Sequence, residues 1–311
     1  MEIVKLHYPD ELDVAITNEY SLAIGFFDGI HKGHRAVIRQ AVKTAEARSL
    51  VPAVMTFDPH PSYLFKEEGV LYLTPLEEKV RQLEQLGVEV LFIVTFDWTL
   101  ASLTPSEFID TFIRGLHVQH VTAGFDFTFG RKGEGTMKQM KALANGDYTT
   151  TTVEKVTIGD EKVSSTRIRQ LLLEGEVEKA ELLLARPYRT IGTVIDGAKR
   201  GRTIGFPTAN LQVDSKYVQP KQGVYAVHVW IGDEKFEGVC NVGVVPTFET
   251  GPEVSIEVHI LSFDQTIYGE KVAVDWKYRL RDEMKFNGVD ALVAQIAADK
   301  EKAIELFKNE D

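Results

Sequence analysis

The chain has 311 residues, of which 44% are hydrophobic and 26% charged, and a formal net charge of −11. That length exceeds a usual single core, so two domains of about 100–200 residues each are expected. No run nears the roughly 18 apolar residues of a membrane span, the single cysteine, Cys240, excludes a disulfide framework or a multi-cysteine metal site, and the acidic balance argues against coating nucleic acid. Cys240 has apolar neighbours and reads as a buried, inert thiol.

The N-terminal run MEIVKLHYPDELDV carries carboxylates where an export signal would be apolar, so a cytoplasmic protein is expected. SLAIGFF (21–27), VPAVMTF (51–57), VEVLFIVTF (88–96) and HVTAGF (120–125) read as strands buried on both faces, being rich in Val, Ile and Phe with little alternation. HRAVIRQAVKTAEARS (34–49) reads as a helix. Thr74-Pro75-Leu76-Glu77 and Thr104-Pro105-Ser106-Glu107 each announce another, with Thr as N-cap, Pro at the first position and Glu at the third. Strands alternating with helices predict a doubly wound, Rossmann-like α/β sheet. Beyond Pro187 the period changes: GVYAVHVWIG, EVSIEVHIL and KVAVDWKYRL alternate with period two and predict a small antiparallel β-barrel, closed by a terminal helix over residues 288–307. The expected boundary places residues 1–186 in the first domain and 187–311 in the second.

Chemistry concentrates in a few stretches. In AIGFFDGIHKGHRAVI (23–38) a strand ends at Gly25 and a helix begins near Gly33, so His31 and His34 stand at a helix mouth suited to phosphate. SSTRIR (164–169) offers hydroxyls and guanidinium groups at a second helix start. TFDPHP (56–61) and AGFDFTFGRKGEG (123–135) both fall at the carboxyl edge of the sheet, where such folds bind ligands. In the second half, GTVIDGAKRGRTIGFPTANL (192–211) lacks Walker spacing but offers flexible amides, Lys199, Arg200 and Arg202. Thr208 and Asn210 follow, with hard oxygens suited to Mg²⁺ and a nucleotide. In EVSIEVHIL the period of two sets Glu257 beside His259, opposite the apolar face, where a carboxylate can serve as base for an attacking hydroxyl.

GFFDGIHKGH, TFDPHP, GFDFTFG and SSTRIR, in this order, resemble the adenylyltransferase module of bacterial bifunctional riboflavin kinase/FAD synthetases. GRTIGFPTANL, GVYAV, CNVGVVPTF, IEVHIL, YGE and YRLRDEMKFNG resemble the riboflavin kinase module of the same family, so the resemblance covers almost the whole chain. It implies that riboflavin is phosphorylated to FMN and FMN adenylylated to FAD, with ATP as co-substrate and Mg²⁺ as cofactor. It places Gly25, Phe27, Asp28, His31 and His34 around the ATP phosphates, with Ser164, Ser165, Thr166 and Arg169 closing the other side. His60, Pro61 and Asp126 would line a flavin or nucleotide pocket. In the kinase half it implies Thr208 and Asn210 as metal ligands and Glu257 as base. There Gly197, Lys199, Gly201, Gly205 and Pro207 would lie over the nucleotide, with Arg281 and Phe286 near the flavin. Thr128 and Val245 stand where the family often carries Arg, removing two cations. Partners are expected to be small molecules, with neither nucleic acid nor membrane, and homo-oligomerisation is left open. Two rivals remain at this stage: a nucleotidyltransferase for another phosphorylated acceptor, and a flavin-binding regulatory protein.

Overall fold

The computed structural model describes residues 1–10, 18–65, 70–197, 200–245 and 253–310. It divides into two compact units, Met1–Ser165 and Thr166–Asp311.

In the first unit, β1 (Glu2–Leu6), β2 (Tyr20–Ile24), β3 (Val51–Asp58), β4 (Val90–Thr95), β5 (Val118–Gly124) and β6 (Thr149–Val153) form one sheet in the order β1-β4-β3-β2-β5-β6. Every pairing is parallel. Residues Leu22, Ile24, Met55 and Phe92 pack on one face, and Ala23, Val54 and Leu91 on the other. Burial on both faces explains why these strands read as unbroken apolar runs. Helix α1 (Lys32–Arg48) covers the second face with Val37, Ile38 and Ala41. Strands β3 and β4 step outward from β2, and the chain then returns to lay β5 on the opposite side of β2. The carboxyl ends of β2 and β5 therefore flank the crevice where a doubly wound sheet receives its ligand.

Two further helices matter to that edge, α2 (Leu76–Gln85) and the short α3 (Trp98–Ser102). The Thr74 N-cap expected for α2 is not made. The cap position falls on Pro75 without a side-chain bond, and the Thr74 hydroxyl accepts from the Gly29 amide at 2.9 Å instead. Thr104 does form its capping box with Glu107.

In the second unit, α4 (Ser165–Glu174) and α5 (Val177–Leu184) precede six strands: β7 (Tyr188–Ile195), β8 (Ala209–Val213), β9 (Gly223–Ile231), β10 (Glu234–Val245), β11 (Glu253–Ile260) and β12 (Lys271–Arg281). These close as β7-β8-β11-β10-β9-β12, the expected antiparallel barrel. The expected terminal helix is α6 (Val289–Lys308). Residues 166–184, which precede the expected boundary after residue 186, fall in this second unit. Glu181 of α5 accepts from Lys277 at 3.0 Å, and the Leu172 carbonyl accepts from the Lys221 amide at 2.9 Å. Cys240 is buried, and burial, with the Glu257 carboxylate adding to it, raises its thiol well above the ordinary value.

On β5, His120 pairs through Nδ1 with the Thr149 hydroxyl at 2.7 Å. Burial first, and the Arg48 guanidinium second, lower its pKa from 6.5 to about 4. Folding thus favours the neutral ring, so stability is fully present above pH 6.5 and is lost as pH falls toward 4. A His120→Asn variant is expected to show a flatter fall of Tm across that window than the parent; an equally steep fall would assign the acid sensitivity elsewhere.

Candidate active sites

The turn from β2 into α1 is the centre of the first site. Phe27 and Ile30 have φ of 52° and 42°, and Gly29 of 87°, so the chain reverses through three left-handed residues, two of them non-glycine. Neighbouring segments hold this conformation. The Asp28 carboxylate accepts from the amides of Leu73 and Thr74 at 2.9–3.1 Å, and the Asp28 carbonyl accepts from the Ser165 hydroxyl at 2.8 Å. Asp28 thus braces the turn with both its carboxylate and its carbonyl.

The turn delivers His31, 5% exposed, as the N-cap of α1. Its Nδ1 accepts from the His34 amide at 3.2 Å, and the two imidazoles stack with centroids 3.6 Å apart. A nitrogen that accepts carries no proton, so a capping His31 is the Nε2–H tautomer and presents that N–H as its donor. The Phe27 ring meets His34 edge-on at 5.3 Å. Two glycines of the motif are explained by these rings. A Cβ at Gly33 would stand 3.1 Å from the His31 ring, and one at Gly25 would stand 3.0 Å from the Phe27 ring.

Beside the turn, the Phe26 ring meets His60 edge-on at 4.2 Å. His60 is fixed by its amide, which donates to Tyr72 Oη at 2.9 Å, and by its Nδ1, which accepts from the Ser62 amide at 3.0 Å. Pro61 follows at the start of the same short loop. Asp126 is exposed and paired with Lys162 at 2.7 Å, the lysine lying over the Phe125 ring. Thr128 is exposed in a two-residue strand. Ser164 and Ser165 end the first unit, while Thr166 and Arg169 fall on α4 in the second.

The kinase-half residues gather on the outer face of the barrel. Ile256, Val258 and Ile260 are buried inside, which turns Glu257 outward. In the strand register Glu257 lies opposite Asn210 of β8 on one side and Asn241 of β10 on the other. Cross-strand partners share a face with Cβ atoms about 4.5–5.5 Å apart, so three polar side chains form one row. The Ser255 hydroxyl donates to Glu257 at 3.3 Å. His259 Nδ1 donates to the Pro207 carbonyl at 2.8 Å, tying the residue before Thr208 to β11. Glycine lets the preceding loop approach this row. A Cβ at Gly197 would fall 2.2 Å from the Asn210 amide nitrogen, and one at Gly201 would fall 2.2 Å from the Phe206 carbonyl. Gly205 needs its φ of 84°. Lys199 and the side chain of Val245 lie outside the described residues.

Arg281 makes a bidentate pair with Asp299 of α6 at 2.7–3.0 Å and lies 5.9 Å from the Phe286 ring centre, so its guanidinium anchors the terminal helix. From sequence alone Asn241, Ser255 and Lys79 have no site role, Thr74 is marked only as an N-cap and Thr56 only as the start of TFDPHP. Asn241 and Ser255 emerge from the register. Thr56, Thr74 and Lys79 touch the turn from segments remote in the chain.

A parallel α/β unit with a histidine-capped helix mouth, joined in sequence to a β-barrel carrying an outward glutamate between two asparagines, has the make-up of a two-module nucleotide-dependent transferase. The FAD synthetase family profile matches residues 13–167 and the riboflavin kinase profile residues 184–307. Proteins described as bifunctional riboflavin kinase/FMN adenylyltransferase are 48% identical in Bacillus subtilis, over 99% of both chains, and 45% identical in Listeria monocytogenes, over 99% of this chain and 98% of the other. A Streptococcus pneumoniae crystal structure described as a macrolide-efflux protein is 39% identical, with a TM-score of 0.89 over 96% of this chain and 98% of its own. Among the described residues no helix is long and apolar enough to cross a membrane. The chain belongs to the bifunctional riboflavin kinase/FMN adenylyltransferase family.

The His31 ring, buried and stacked, has little room to yield to a methyl group at position 33. Gly33→Ala is expected to lower FMN adenylylation about tenfold through displaced imidazoles, with riboflavin phosphorylation unchanged; a variant with unaltered adenylylation would show that the close packing at Gly33 is not needed.

Proposed function

We propose that the two modules perform successive transfers from ATP at different phosphorus atoms, each with the residues gathered above. In the barrel module the ribityl 5′-hydroxyl of riboflavin attacks the γ-phosphorus. The bond from that phosphorus to the β-bridging oxygen breaks, ADP leaves, and Glu257 takes the hydroxyl proton. Glu257 suits this role because it faces outward within the polar row and accepts from Ser255.

Thr208 and Asn210 would hold Mg²⁺. Both offer hard oxygens, and the Asn210 amide fills the space that a Cβ at Gly197 would need, which supports a loop closing over this point. When bound, the ion would neutralise charge on the phosphates. Gly197, Gly201, Gly205, Pro207 and Lys199 belong to the segment over the nucleotide, and Arg281 with Phe286 to the flavin side.

In the α/β module a phosphate oxygen of FMN attacks the α-phosphorus of a second ATP. The bond to the α–β bridging oxygen breaks, giving FAD and pyrophosphate. FMN is already anionic, so this step needs alignment and charge stabilisation rather than a strong base. His31 donates through Nε2, His34 stacks beside it, and Ser164, Ser165, Thr166 and Arg169 serve the triphosphate. Gly25, Phe27 and Asp28 shape and brace the turn, while His60, Pro61 and Asp126 belong to the flavin side. The acceptor of His34's amide at His31 Nδ1 is the observation that carries this reading, since it assigns the donor atom. We place the protein in the cytoplasm, acting on small molecules alone.

Glu257→Ala is expected to lower riboflavin phosphorylation by about 10² to 10⁴ and to leave FMN adenylylation intact. The double variant His31→Ala, His34→Ala should lower adenylylation by about 10² or more and spare phosphorylation. Steady-state assays of each half-reaction on folded protein check this, and a joint loss in either variant would refute separate sites.

A further inference from the structure

Lys79, on α2, belongs to none of the family motifs and is 7% exposed. Its ammonium donates to the Phe26 carbonyl at 3.1 Å and to Thr56 Oγ1 at 3.4 Å, and stands 4.8 Å from the centre of the Phe26 ring. Burial pushes its pKa down, while Asp28 and Asp58 oppose that shift. The Phe26 carbonyl does not depend on this cation alone, since it also accepts from the Thr56 hydroxyl at 2.8 Å. The ammonium in addition compensates the buried Asp28 carboxylate, so its charge acts on the turn from two directions.

The position says what this charge serves. Phe26 joins Gly25 to Phe27, whose ring backs His34, and its own ring backs His60. One peptide thus links the histidine side and the flavin side of the site, and Lys79 grips that peptide from below. We propose that Lys79 is a positioning residue for adenylyl transfer: its ammonium locks the Phe26 peptide and sets a fixed positive charge beneath the phosphate-binding turn. This rests on the assignment of adenylyl transfer to that turn.

The test uses the full-length protein with Lys79→Met, which keeps the apolar stem, Lys79→Arg, which restores a cation, and Thr56→Val. Lys79→Met is expected to lose about tenfold or more in kcat for FAD formation at temperatures where it is fully folded, whatever the change in its Tm. Its KM for ATP should change far less, and its kinase activity should be parental. Lys79→Arg should recover most of the lost kcat. Thr56→Val should lower kcat on its own and less than additively with Lys79→Met, because both groups hold one carbonyl. A folded Lys79→Met with kcat within about twofold of parental, a loss that tracks a lowered Tm, or an arginine variant no better than methionine would each overturn the proposal. Should Lys79→Met not fold, an unchanged kcat in Thr56→Val overturns it and a lowered one supports it. The His31, His34 double variant separates the two layers: if it keeps adenylylation, the site assignment itself has failed, whereas if it loses adenylylation and Lys79→Met does not, only the role of Lys79 has.

Discussion

The adenylyltransferase module depends on a backbone constraint: residues 25–31 must carry the chain from a sheet edge into a helix while passing through left-handed conformations at Phe27, Gly29 and Ile30. Such a turn is strained alone and persists because its surroundings over-determine it. The Leu73 and Thr74 amides at the Asp28 carboxylate, the Thr74 hydroxyl at the Gly29 amide, the Ser165 hydroxyl at the Asp28 carbonyl, and Thr56 with Lys79 at the Phe26 carbonyl each take one of its polar groups. The return is a buried histidine acting as helix cap, whose Nδ1 accepts from the His34 amide and whose ring stacks on His34. The parallel order β1-β4-β3-β2-β5-β6 places the crevice beside β2 and β5, since the strand succession reverses direction at β2.

The barrel module solves a related problem by other means. Strand register, not a strained turn, brings Asn210, Glu257 and Asn241 into one row. Gly197 then lets the preceding loop press against Asn210 of that row without clash, and Gly201 lets the loop pack on its own Phe206 carbonyl. A hydroxyl nucleophile must lose a proton and a phosphate nucleophile need not; on the proposed assignment, that difference is why a carboxylate is needed on the barrel, and imidazoles and hydroxyls suffice on the α/β unit.

Much of this was legible in the chain. Apolar runs of Val, Ile and Phe marked the parallel strands because burial on both faces removes alternation; in the barrel strand GVYAVHVWIG the alternation is weak, because residues 223–229 are buried throughout and Val224 and Ala226 cluster with Ala303 and Phe307 of α6. The histidines, PTAN and Glu257 stood out as residue types suited to phosphate chemistry near strand and helix ends, and the fold shows His31 capping α1 and Glu257 opposite Asn210. What escaped were long-range choices. Thr74 had the look of an N-cap, but its hydroxyl satisfies Gly29, 45 residues away in sequence. Lys79 sits in a helix whose buried residues are Glu78, Lys79, Gln82 and Leu83, while Leu76 is 45% exposed, so its inward face is largely polar and does not stand out in the chain. Arg281 was placed near flavin from its motif, and only the fold reveals its pairing with Asp299.

The central claim is that one chain cleaves ATP at two different bonds in two different modules. It is tested most directly with two ATP analogues whose bridging oxygens are replaced by methylene, one between the α- and β-phosphorus and one between the β- and γ-phosphorus, with flavin products separated by chromatography. The account predicts that the α,β-analogue supports riboflavin phosphorylation but not FAD formation, and that the β,γ-analogue converts FMN to FAD but leaves riboflavin untouched. FAD formed from the α,β-analogue, or FMN formed from the β,γ-analogue, would contradict it.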